Sequence, residues 1–250
     1  MPTLSLILPI YNERAEVDRT LAAVAAQAAI RPDWEFLFVD DGSGDGTPDR
    51  IREVVEARPE LRANVRLLVQ PRNGGKGAAI RRGFSAATGS LLCFTDGDLP
   101  YSLDQVDRLA ELLQGGADVV IGSRKLPDSA NFVKPLRRRL LGGAFNLVAR
   151  GLLGLPYKDT QAGLKGFRRE AAEAIFPRLR TLGFSFDVEV LYLARKAGLR
   201  IVEIPVRVNA EHSYKVSKIK LMRDSLRMAE GIARIRLRDL RGVYRLQGRD

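Results

Sequence analysis

Short apolar runs of strand length alternate with helical patterns along the chain, and this alternation restricts the fold more than any other feature. Runs that are apolar throughout are typical of strands buried on both faces, and helices between them are typical of parallel sheets. The pattern therefore predicts an α/β fold with a mostly parallel sheet flanked by helices. The predicted strands are Leu4 to Ile10, Glu35 to Val39, Val65 to Gln70, Leu91 to Thr95, Asp118 to Ile121 and Ile201 to Val208. The predicted helices are Ala15 to Ala29, Pro48 to Ala57, Gly77 to Ala87, Leu103 to Leu113 and Asp187 to Lys196.

Polar clusters follow the first four predicted strands, at the point where each strand ends. In parallel sheets the ligand crevice lies beyond the carboxyl ends of the strands. We therefore expect the four clusters to form one site. They are Pro9 to Glu13, Asp40 to Ser43, Arg72 to Gly77 and Asp96 to Asp98.

Asp96-Gly97-Asp98 predicts a metal site. Two carboxylates one residue apart can bind one hard cation, and Mg²⁺ or Mn²⁺ typically completes its shell with water and substrate phosphates. A solvated turn is the alternative explanation for such a triplet. The position after a buried strand favours the metal, held against the diphosphate of a nucleotide sugar, and this predicts a glycosyltransferase.

Two other strand-end clusters have competing interpretations. Asp40 and Asp41 open a segment that resembles a calcium loop, but Arg52 stands where the loop requires a glutamate. A carboxylate pair there could bind the base and ribose hydroxyls of a nucleotide instead. Gly74-Gly75-Lys76-Gly77 lacks the Ser or Thr of a Walker loop. It is either a structural turn or a segment whose Lys76 or backbone amides lie near the diphosphate.

Five motifs in this order resemble those of family 2 inverting glycosyltransferases, which have a GT-A type fold. They are Leu8 to Glu13, Val39 to Ser43, Asn73 to Gly77, Asp96 to Asp98 and Gly122 to Arg124. Later segments are similar to those of dolichyl-phosphate glucosyltransferases and, less closely, dolichyl-phosphate mannose synthases. These segments are Asp159 to Gly163, Phe186 to Glu189, Ser217-Lys218 and Arg223 to Ser225.

The resemblance implies a role for each matching residue. Asp96 and Asp98 would bind the metal, and Pro100 stands where many mannose synthases carry a third ligand, which favours glucose as the sugar. Arg124 would face a lipid phosphate. Candidates for the nucleotide site are Pro9, Tyr11, Glu13, Asp40, Asp41, Lys76 and Asp96, and further candidates for the acceptor phosphate are Arg137, Arg138 and Arg139.

Inverting transfer to an alcohol would need a general base, with Asp159 as the first candidate and Asp187 or Glu189 as alternatives. Asp187 and Glu189 could instead simply begin a helix, where carboxylates are favoured. A polyprenyl phosphate needs less help, because it is largely anionic at neutral pH. The predicted catalytic residues are Asp98, Asp159, Gln161 and Asp187.

The net charge of +11 lies largely in the tail. Between His212 and Asp250 the chain has eleven Lys and Arg residues and four acidic residues. We expect a catalytic domain over residues 1–210, with a nucleotide-sugar half (1–122) and an acceptor half (123–210), followed by a basic amphipathic helical tail (211–250). This tail either lies in an anionic membrane interface or packs on the domain. Its predicted apolar stripe is Ile219, Met222, Leu226, Ala229, Ala233, Leu237 and Leu240.

The sequence thus predicts a metal-dependent enzyme that moves a hexose, glucose rather than mannose, from UDP-glucose or GDP-mannose to a polyprenyl or dolichyl phosphate. Transfer to a soluble or cell-surface glycan is one alternative. A nucleic-acid binder is another, disfavoured because the chain carries no motif of that class. The single cysteine, Cys93, lies in an apolar run and is expected to be a buried thiol, which suits a reducing cytoplasm. Without a signal peptide or long apolar run, we expect a cytoplasmic protein or one peripheral to the cytoplasmic membrane face.

Overall fold

A seven-stranded sheet forms the centre of the computed structural model, which describes residues 1–129, 147–183, 185–209 and 221–245, with only the helical backbone for 221–228. The strands are β1 (Leu4–Ile10), β2 (Trp34–Asp40), β3 (Val65–Val69), β4 (Leu91–Phe94), β5 (Val119–Ser123), β6 (Lys165–Arg168) and β7 (Ile201–Pro205). Their order across the sheet is β3-β2-β1-β4-β6-β5-β7. The neighbouring pairs β3-β2, β2-β1, β1-β4 and β5-β7 are parallel.

Strand β6 is antiparallel to both of its neighbours, β4 and β5, with Gly166 opposite Cys93 and Val120. The sequence pattern did not predict this strand, because Lys165-Gly166-Phe167-Arg168 contains a single apolar residue. Its position inside the sheet nevertheless buries Lys165 fully. The strand therefore carries a charged side chain into the core.

Helices cover both faces of the sheet. They are α1 (Val17–Ile30), α2 (Thr47–Ala57), α3 (Pro59–Arg62), α4 (Lys76–Ala86), α5 (Asp104–Gln114), α6 (described over residues 147–153), α7 (Arg169–Ile175), α8 (Phe186–Lys196) and α9 (Leu221–Leu240). Along β1, Leu6 and Leu8 pack towards α1 and α5, while Ile7 packs towards α4 and α8. This alternation places an apolar core on each face, as expected for strands buried on both sides.

The predicted fold class is confirmed, and β1 has the predicted bounds. The last strand ends at Pro205, three residues before the predicted end at Val208. One further backbone hydrogen bond, from Val206 N to Ser123 O at 3.0 Å, follows Pro205. Val208 forms an isolated antiparallel bridge with Tyr101 instead. Cys93 is buried, as predicted.

From residue 229 on, the last helix packs on the domain through residues outside the predicted stripe. Ile219, Met222 and Leu226 of that stripe lie outside the described side chains. Ile232 and Ile235 are fully buried, whereas Leu237 and Leu240 of the predicted stripe are 49% and 68% exposed. Helix α9 is held by Asp239, which accepts hydrogen bonds from Tyr192 at 2.6 Å and from Lys196. Among the helices in the described part of the chain, none is both long enough and apolar enough to cross a membrane.

Candidate functional site

The four strands with polar ends are direct neighbours in the sheet, in the order β3-β2-β1-β4. The loops after β1 and β2 are tied together: the backbone N–H of Asn12 donates to Ser43 Oγ at 2.8 Å, and Asn12 Oδ1 accepts from Gly44 N at 3.0 Å. Asn12 adopts the left-handed conformation with φ 52°. In this loop Tyr11 is 44% exposed, while Pro9 and Glu13 are half-buried. The predicted nucleotide residues therefore lie on a hydrogen-bonded platform at the end of the sheet.

Asp40 and Asp41 differ in what their carboxylates contact. Asp40 Oδ2 accepts from the backbone N–H groups of Gly42 (3.1 Å) and Ser43 (2.9 Å). Its other oxygen, Oδ1, is buried and has no hydrogen-bond partner among the described residues. A buried acceptor of this kind ordinarily has a partner, so Oδ1 is an unsatisfied acceptor at the end of β2.

Both carboxylate oxygens of Asp41 accept hydrogen bonds from the segment that follows β3. Oδ1 accepts from Gln70 Nε2 at 2.6 Å and from Gly74 N at 2.8 Å, and Oδ2 accepts from Gly75 N at 2.8 Å. In this conformation Asp41 fixes the loop after β3. Its position in the nucleotide site stays a prediction.

The glycines after β3 serve close packing against the segment that precedes α8. Gly75 has φ +90°, and a Cβ added there would lie 2.6 Å from the carbonyl oxygen of Leu182. Gly77 N donates to the same oxygen at 2.9 Å, and a Cβ at Gly77 would lie 2.9 Å from Phe186 Cβ. The backbone N–H groups of Gly74, Gly75 and Gly77 are therefore taken by the protein. Lys76, rather than these amides, is the phosphate-directed candidate in this segment.

Lys76 forms an ion pair with Asp96, which joins the ends of β3 and β4. Its Nζ contacts Asp96 Oδ1 and lies 5.9 Å and 5.7 Å from the ring centroids of Phe94 and Phe186. Burial alone would lower the pKa of Lys76, but the carboxylates of Asp96 and Asp187 raise it above its ordinary value. Lys76 is consequently an ammonium ion at neutral pH.

The Asp96-Gly97-Asp98 turn is held tightly against its surroundings. A Cβ at Gly97 would lie 2.6 Å from the carbonyl oxygen of Pro9, and Gly97 O accepts from Thr20 Oγ1 at 2.8 Å. Asp96 and Asp98 are both half-buried. On its other side, Asp96 packs against Gly163, where an added Cβ would overlap the carboxylate. The turn leaves both carboxylates partly accessible.

This donor set fits a hard divalent cation. Within the described residues, no three His, Cys, Asp or Glu side chains form a cluster able to hold a metal. Mg²⁺ is commonly bound by one or two carboxylates, with substrate phosphates and water as its remaining ligands. Two half-buried aspartates one residue apart match that arrangement, and they are the residues that would hold such an ion.

Arg124, which follows β5, forms a bidentate ion pair with Asp159. Arg124 Nε and Nη2 donate to Asp159 at 2.7 Å and 3.0 Å, and the backbone N–H of Gln161 donates to Asp159 Oδ1 at 3.1 Å. Burial would raise the pKa of Asp159, but the charge and hydrogen bonds of Arg124 hold it well below its ordinary range. Asp159 is a weak base in this arrangement.

Tyr101, which the sequence pattern did not single out, is buried beside this pair. Burial raises the pKa of Tyr101 to about 12, and the charges of Asp96 and Asp159 contribute in the same direction. The phenol therefore stays protonated at neutral pH and can donate a hydrogen bond.

A second buried ion pair joins β6 to the start of α8. Lys165 Nζ donates to Asp187 Oδ1 at 2.6 Å and to the carbonyl oxygen of Ala162 at 2.6 Å. Burial lowers the pKa of Lys165. Sequence reasoning missed Lys165. The available signal was a lone lysine in the stretch from Thr160 to Phe167, which carries no other charge. The carboxylate of Asp187, a predicted catalytic residue, is therefore engaged in an ion pair with Lys165.

Glu189 belongs to the packing of the C-terminal segment. It is fully buried and accepts from the backbone N–H of Arg180 (3.2 Å) and Thr181 (2.6 Å) and from the hydroxyl of Tyr244. The structure brings Lys76, Asp96 and Asp98 close to the Arg124–Asp159 pair. Gln161 is half-buried beside that pair. Arg137, Arg138 and Arg139 lie outside the described residues.

Comparison with known proteins identifies the family. The sequence profile described as Glycosyl transferase family 2 matches residues 5–176. A dolichyl-phosphate beta-glucosyltransferase of Dictyostelium discoideum is 32% identical over 256 residues, covering 98% of this chain and 77% of the relative. A polyprenol monophosphomannose synthase of Mycolicibacterium smegmatis is 32% identical over 247 residues, covering 96% of this chain and 91% of the relative.

Solved structures show the same fold at lower identity. Glucosyl-3-phosphoglycerate synthase of Mycobacterium tuberculosis, in complex with uridine diphosphate, superposes with a TM-score of 0.66 at 20% identity, over 99% of this chain and 82% of that one. The same enzyme has been solved with Mg²⁺ and uridine diphosphate, and with Mn²⁺. These likenesses establish the GT-A type fold.

Proposed function

The chain belongs to glycosyl transferase family 2 and is a glycosyltransferase, and we propose that it moves a hexose from a nucleotide-sugar donor to a polyprenyl phosphate. The relatives of Dictyostelium discoideum and Saccharomyces cerevisiae named dolichyl-phosphate beta-glucosyltransferase, 32% and 33% identical, support a lipid phosphate acceptor. The mannose synthase of Mycolicibacterium smegmatis supports the same acceptor class. Glucose from UDP-glucose is the proposed sugar, with mannose from GDP-mannose as the competing one.

The choice of a phosphate as the acceptor is supported mainly by one observation: the three carboxylates considered as a general base already have partners within the protein. Asp159 is paired with Arg124, Asp187 with Lys165, and Glu189 binds backbone N–H groups. An alcohol acceptor needs a positioned base with a pKa near the working pH. A phosphate monoester is already largely anionic at neutral pH and attacks without one. The ion-paired acceptor side therefore favours a phosphate.

On the donor side, each proposed contact uses an atom described above. Asp40 Oδ1 would accept a hydrogen bond from the base or a ribose hydroxyl, beside Pro9, Tyr11, Glu13 and Asp41. Lys76, as the first residue of α4, would bind the diphosphate at the positive end of the helix. A Mg²⁺ or Mn²⁺ ion held by Asp96 and Asp98 would act as a Lewis acid towards the charge that develops on the departing diphosphate.

On the acceptor side, Arg124 would bind the lipid phosphate, with Arg137, Arg138 and Arg139 as further candidates. Its bidentate pair with Asp159 fixes the direction of the guanidinium. Gln161, whose N–H donates to Asp159, lies in the same turn and would contact the sugar or the phosphate. Tyr101 would donate a hydrogen bond into the same region.

The test is an assay of nucleoside diphosphate release. The protein is incubated with Mg²⁺ or Mn²⁺, UDP-glucose or GDP-mannose, and a short polyprenyl phosphate. We expect metal-dependent release from UDP-glucose, and a loss of at least about a thousandfold in Asp98→Ala, because it removes the charge stabilisation of the leaving group. Asp49→Ala, at an exposed position on α2, is the matched control and should keep full activity. Release by Asp98→Ala at the wild-type rate, or release only with an alcohol acceptor, would contradict the proposal.

A lipid acceptor also requires contact with a membrane, and the structure suggests where. Six of the ten exposed large apolar side chains in the described residues lie on α6 or near the end of α9. They are Leu147, Val148, Leu152, Leu237, Leu240 and Val243. Leu152 and Arg236 line one cleft of about 520 Å³, which places the two helices side by side. Leu240 follows Arg236 by four residues and shares its helix face.

We therefore propose that this face of α6 and α9, with its exposed arginines, lies on an anionic membrane on the cytoplasmic side. The protein should sediment with anionic liposomes at low salt, and Leu237→Ser/Leu240→Ser should sediment severalfold less. Ile30→Ser, which changes an equally exposed residue on α1, is the control. Equal recovery of the wild-type protein in the supernatant with and without liposomes would refute membrane binding.

A further inference from the structure

Lys76 contacts the carboxylate that we propose as a metal ligand. Its Nζ pairs with Oδ1 of Asp96. The other oxygen, Oδ2, packs against Gly163 so closely that a Cβ added there would overlap it. A cation that binds Asp96 through Oδ1 would share that oxygen with the ammonium of Lys76.

An ammonium ion and a divalent cation cannot share that oxygen without strong repulsion. The contact is half-buried, with 23% of the Lys76 side chain and 35% of the Asp96 side chain exposed, so that water screens it only in part. A cation that binds Asp96 through Oδ1 must consequently displace Lys76, and the displaced ammonium needs another anionic partner.

The surroundings of Lys76 provide a place for that partner. Its Nζ lies within 6 Å of the faces of both Phe94 and Phe186, at 5.9 Å and 5.7 Å from the centroids. These rings hold the ammonium close to the strand ends by cation–π attraction. Lys76 is also the first residue of α4 (Lys76–Ala86), where the helix dipole favours an anion. A diphosphate beside Lys76 would therefore meet its ammonium directly, while the backbone N–H groups of Gly74, Gly75 and Gly77 stay bound within the protein.

We propose that Lys76 couples donor binding to metal binding. Its ammonium pairs with Asp96 until a nucleoside diphosphate binds and forms an ion pair with the ammonium instead. The cation then binds Asp96 and Asp98 with higher affinity. This inference rests on the proposed function, because it takes Asp96 and Asp98 as the metal ligands. The coupling is reciprocal, so that the cation also strengthens nucleotide binding by the same factor. Lys76 is thereby a positioning residue that lets the site assemble only around the complete donor.

The test measures Mn²⁺ binding to the full chain by electron paramagnetic resonance of the free ion, with and without UDP or GDP. The variants are Lys76→Met and, as control, Arg82→Met, which removes an exposed cation from the same helix. We expect Lys76→Met to bind Mn²⁺ alone about tenfold more tightly than the wild type, within the usual range of coupling between two sites. Nucleotide should strengthen its Mn²⁺ binding far less than it does in the wild type. Arg82→Met should match the wild type in both measurements.

The outcomes separate this inference from the proposed function. Equal Mn²⁺ affinity of Lys76→Met and wild type without nucleotide would overturn the coupling role, as would an undiminished effect of nucleotide in the variant. Absence of Mn²⁺ binding by the wild type even with UDP and GDP would overturn the metal site itself. Should Lys76→Met not fold by circular dichroism, Lys76→Gln is measured in its place, with the same expected tightening.

Discussion

The two parts of this enzyme that we propose as the nucleotide-sugar half (residues 1–122) and the acceptor half (residues 123–210) organise their polar groups in different ways. In the nucleotide-sugar half, the loops after β1 and β2 are held by hydrogen bonds between short polar side chains and backbone N–H groups, as in Asn12 with Ser43. In the acceptor half, the polar groups are buried ion pairs: Arg124 with Asp159 and Lys165 with Asp187. The first half also holds one ion pair, Lys76 with Asp96, but 35% of its carboxylate side chain is exposed. The carboxylates of the two pairs in the second half are at most 8% exposed. The comparison teaches that the carboxylates of the second half are closed off by their own cations, whereas Asp96 in the first half keeps a partly exposed carboxylate.

The largest expected effect on stability comes from breaking the deepest ion pair of the acceptor half. Lys165→Met leaves the Asp187 carboxylate buried without its partner and should lower the free energy of unfolding by about 3–5 kcal/mol. The double variant Lys165→Met/Asp187→Leu should recover most of that loss, because no charge remains buried. Both are measured by urea unfolding. If Lys165→Met were as stable as the wild type, the buried ion pair would not stabilise the second half, and the contrast with the first half would fail.

A smaller effect is expected at the second pair, and it depends on pH. Arg124 lowers the pKa of Asp159 in the folded protein, so the pair stabilises the fold above the unfolded aspartate pKa of about 3.9. That contribution is lost as the pH falls through the lower, folded pKa. Asp159→Asn should therefore be less stable than the wild type by about 1–3 kcal/mol at neutral pH. The difference should shrink as the pH is lowered from about 5 towards 2. A difference that stays constant over this range would show that the charge of Asp159 plays no part.

The smallest expected effect lies in the nucleotide-sugar half and concerns binding rather than stability. Asp40→Asn keeps an oxygen for the N–H groups of Gly42 and Ser43 but places an NH₂ donor where Oδ1 is an acceptor. We expect a KM for the donor about tenfold higher with little change in kcat, because the lost contact is made equally in the ground and transition states. Steady-state kinetics at varied donor concentration measure this. A fall in kcat at unchanged KM would remove Asp40 from the donor site.

The strand-end clusters could be predicted from the sequence because each belongs to one local pattern. Asp96 and Asp98 follow an apolar run directly, and the parallel order of β1 to β4 brings the four ends together, as predicted. The hydrogen-bond partners of individual groups in those clusters could not be predicted from the sequence. Asp41 and the glycine amides bind one another, and that choice depends on how the loops after β2 and β3 pack.

The acceptor half was harder to predict because its elements do not carry simple patterns. Strand β6 holds one apolar residue in four, and its strand state comes from pairing with β4 and β5 on both sides. The stripe of α9 that packs on the domain contains Ile232 and Ile235, while the predicted stripe faces outward at Leu237 and Leu240. Both stripes satisfy helical periodicity, and only the position of α8 selects between them.

The sequence by itself determined the α/β class, the position of Asp96 and Asp98 at the end of a buried strand, and the convergence of four polar strand ends. These features follow from local periodicity and the geometry of parallel strands. Tertiary structure alone decided which charges neutralise one another. Lys76 with Asp96 spans 20 residues, Lys165 with Asp187 spans 22 and Arg124 with Asp159 spans 35. Such pairs depend on Coulomb interactions between groups that become neighbours only after the chain has folded, and no pattern of adjacent residues encodes them.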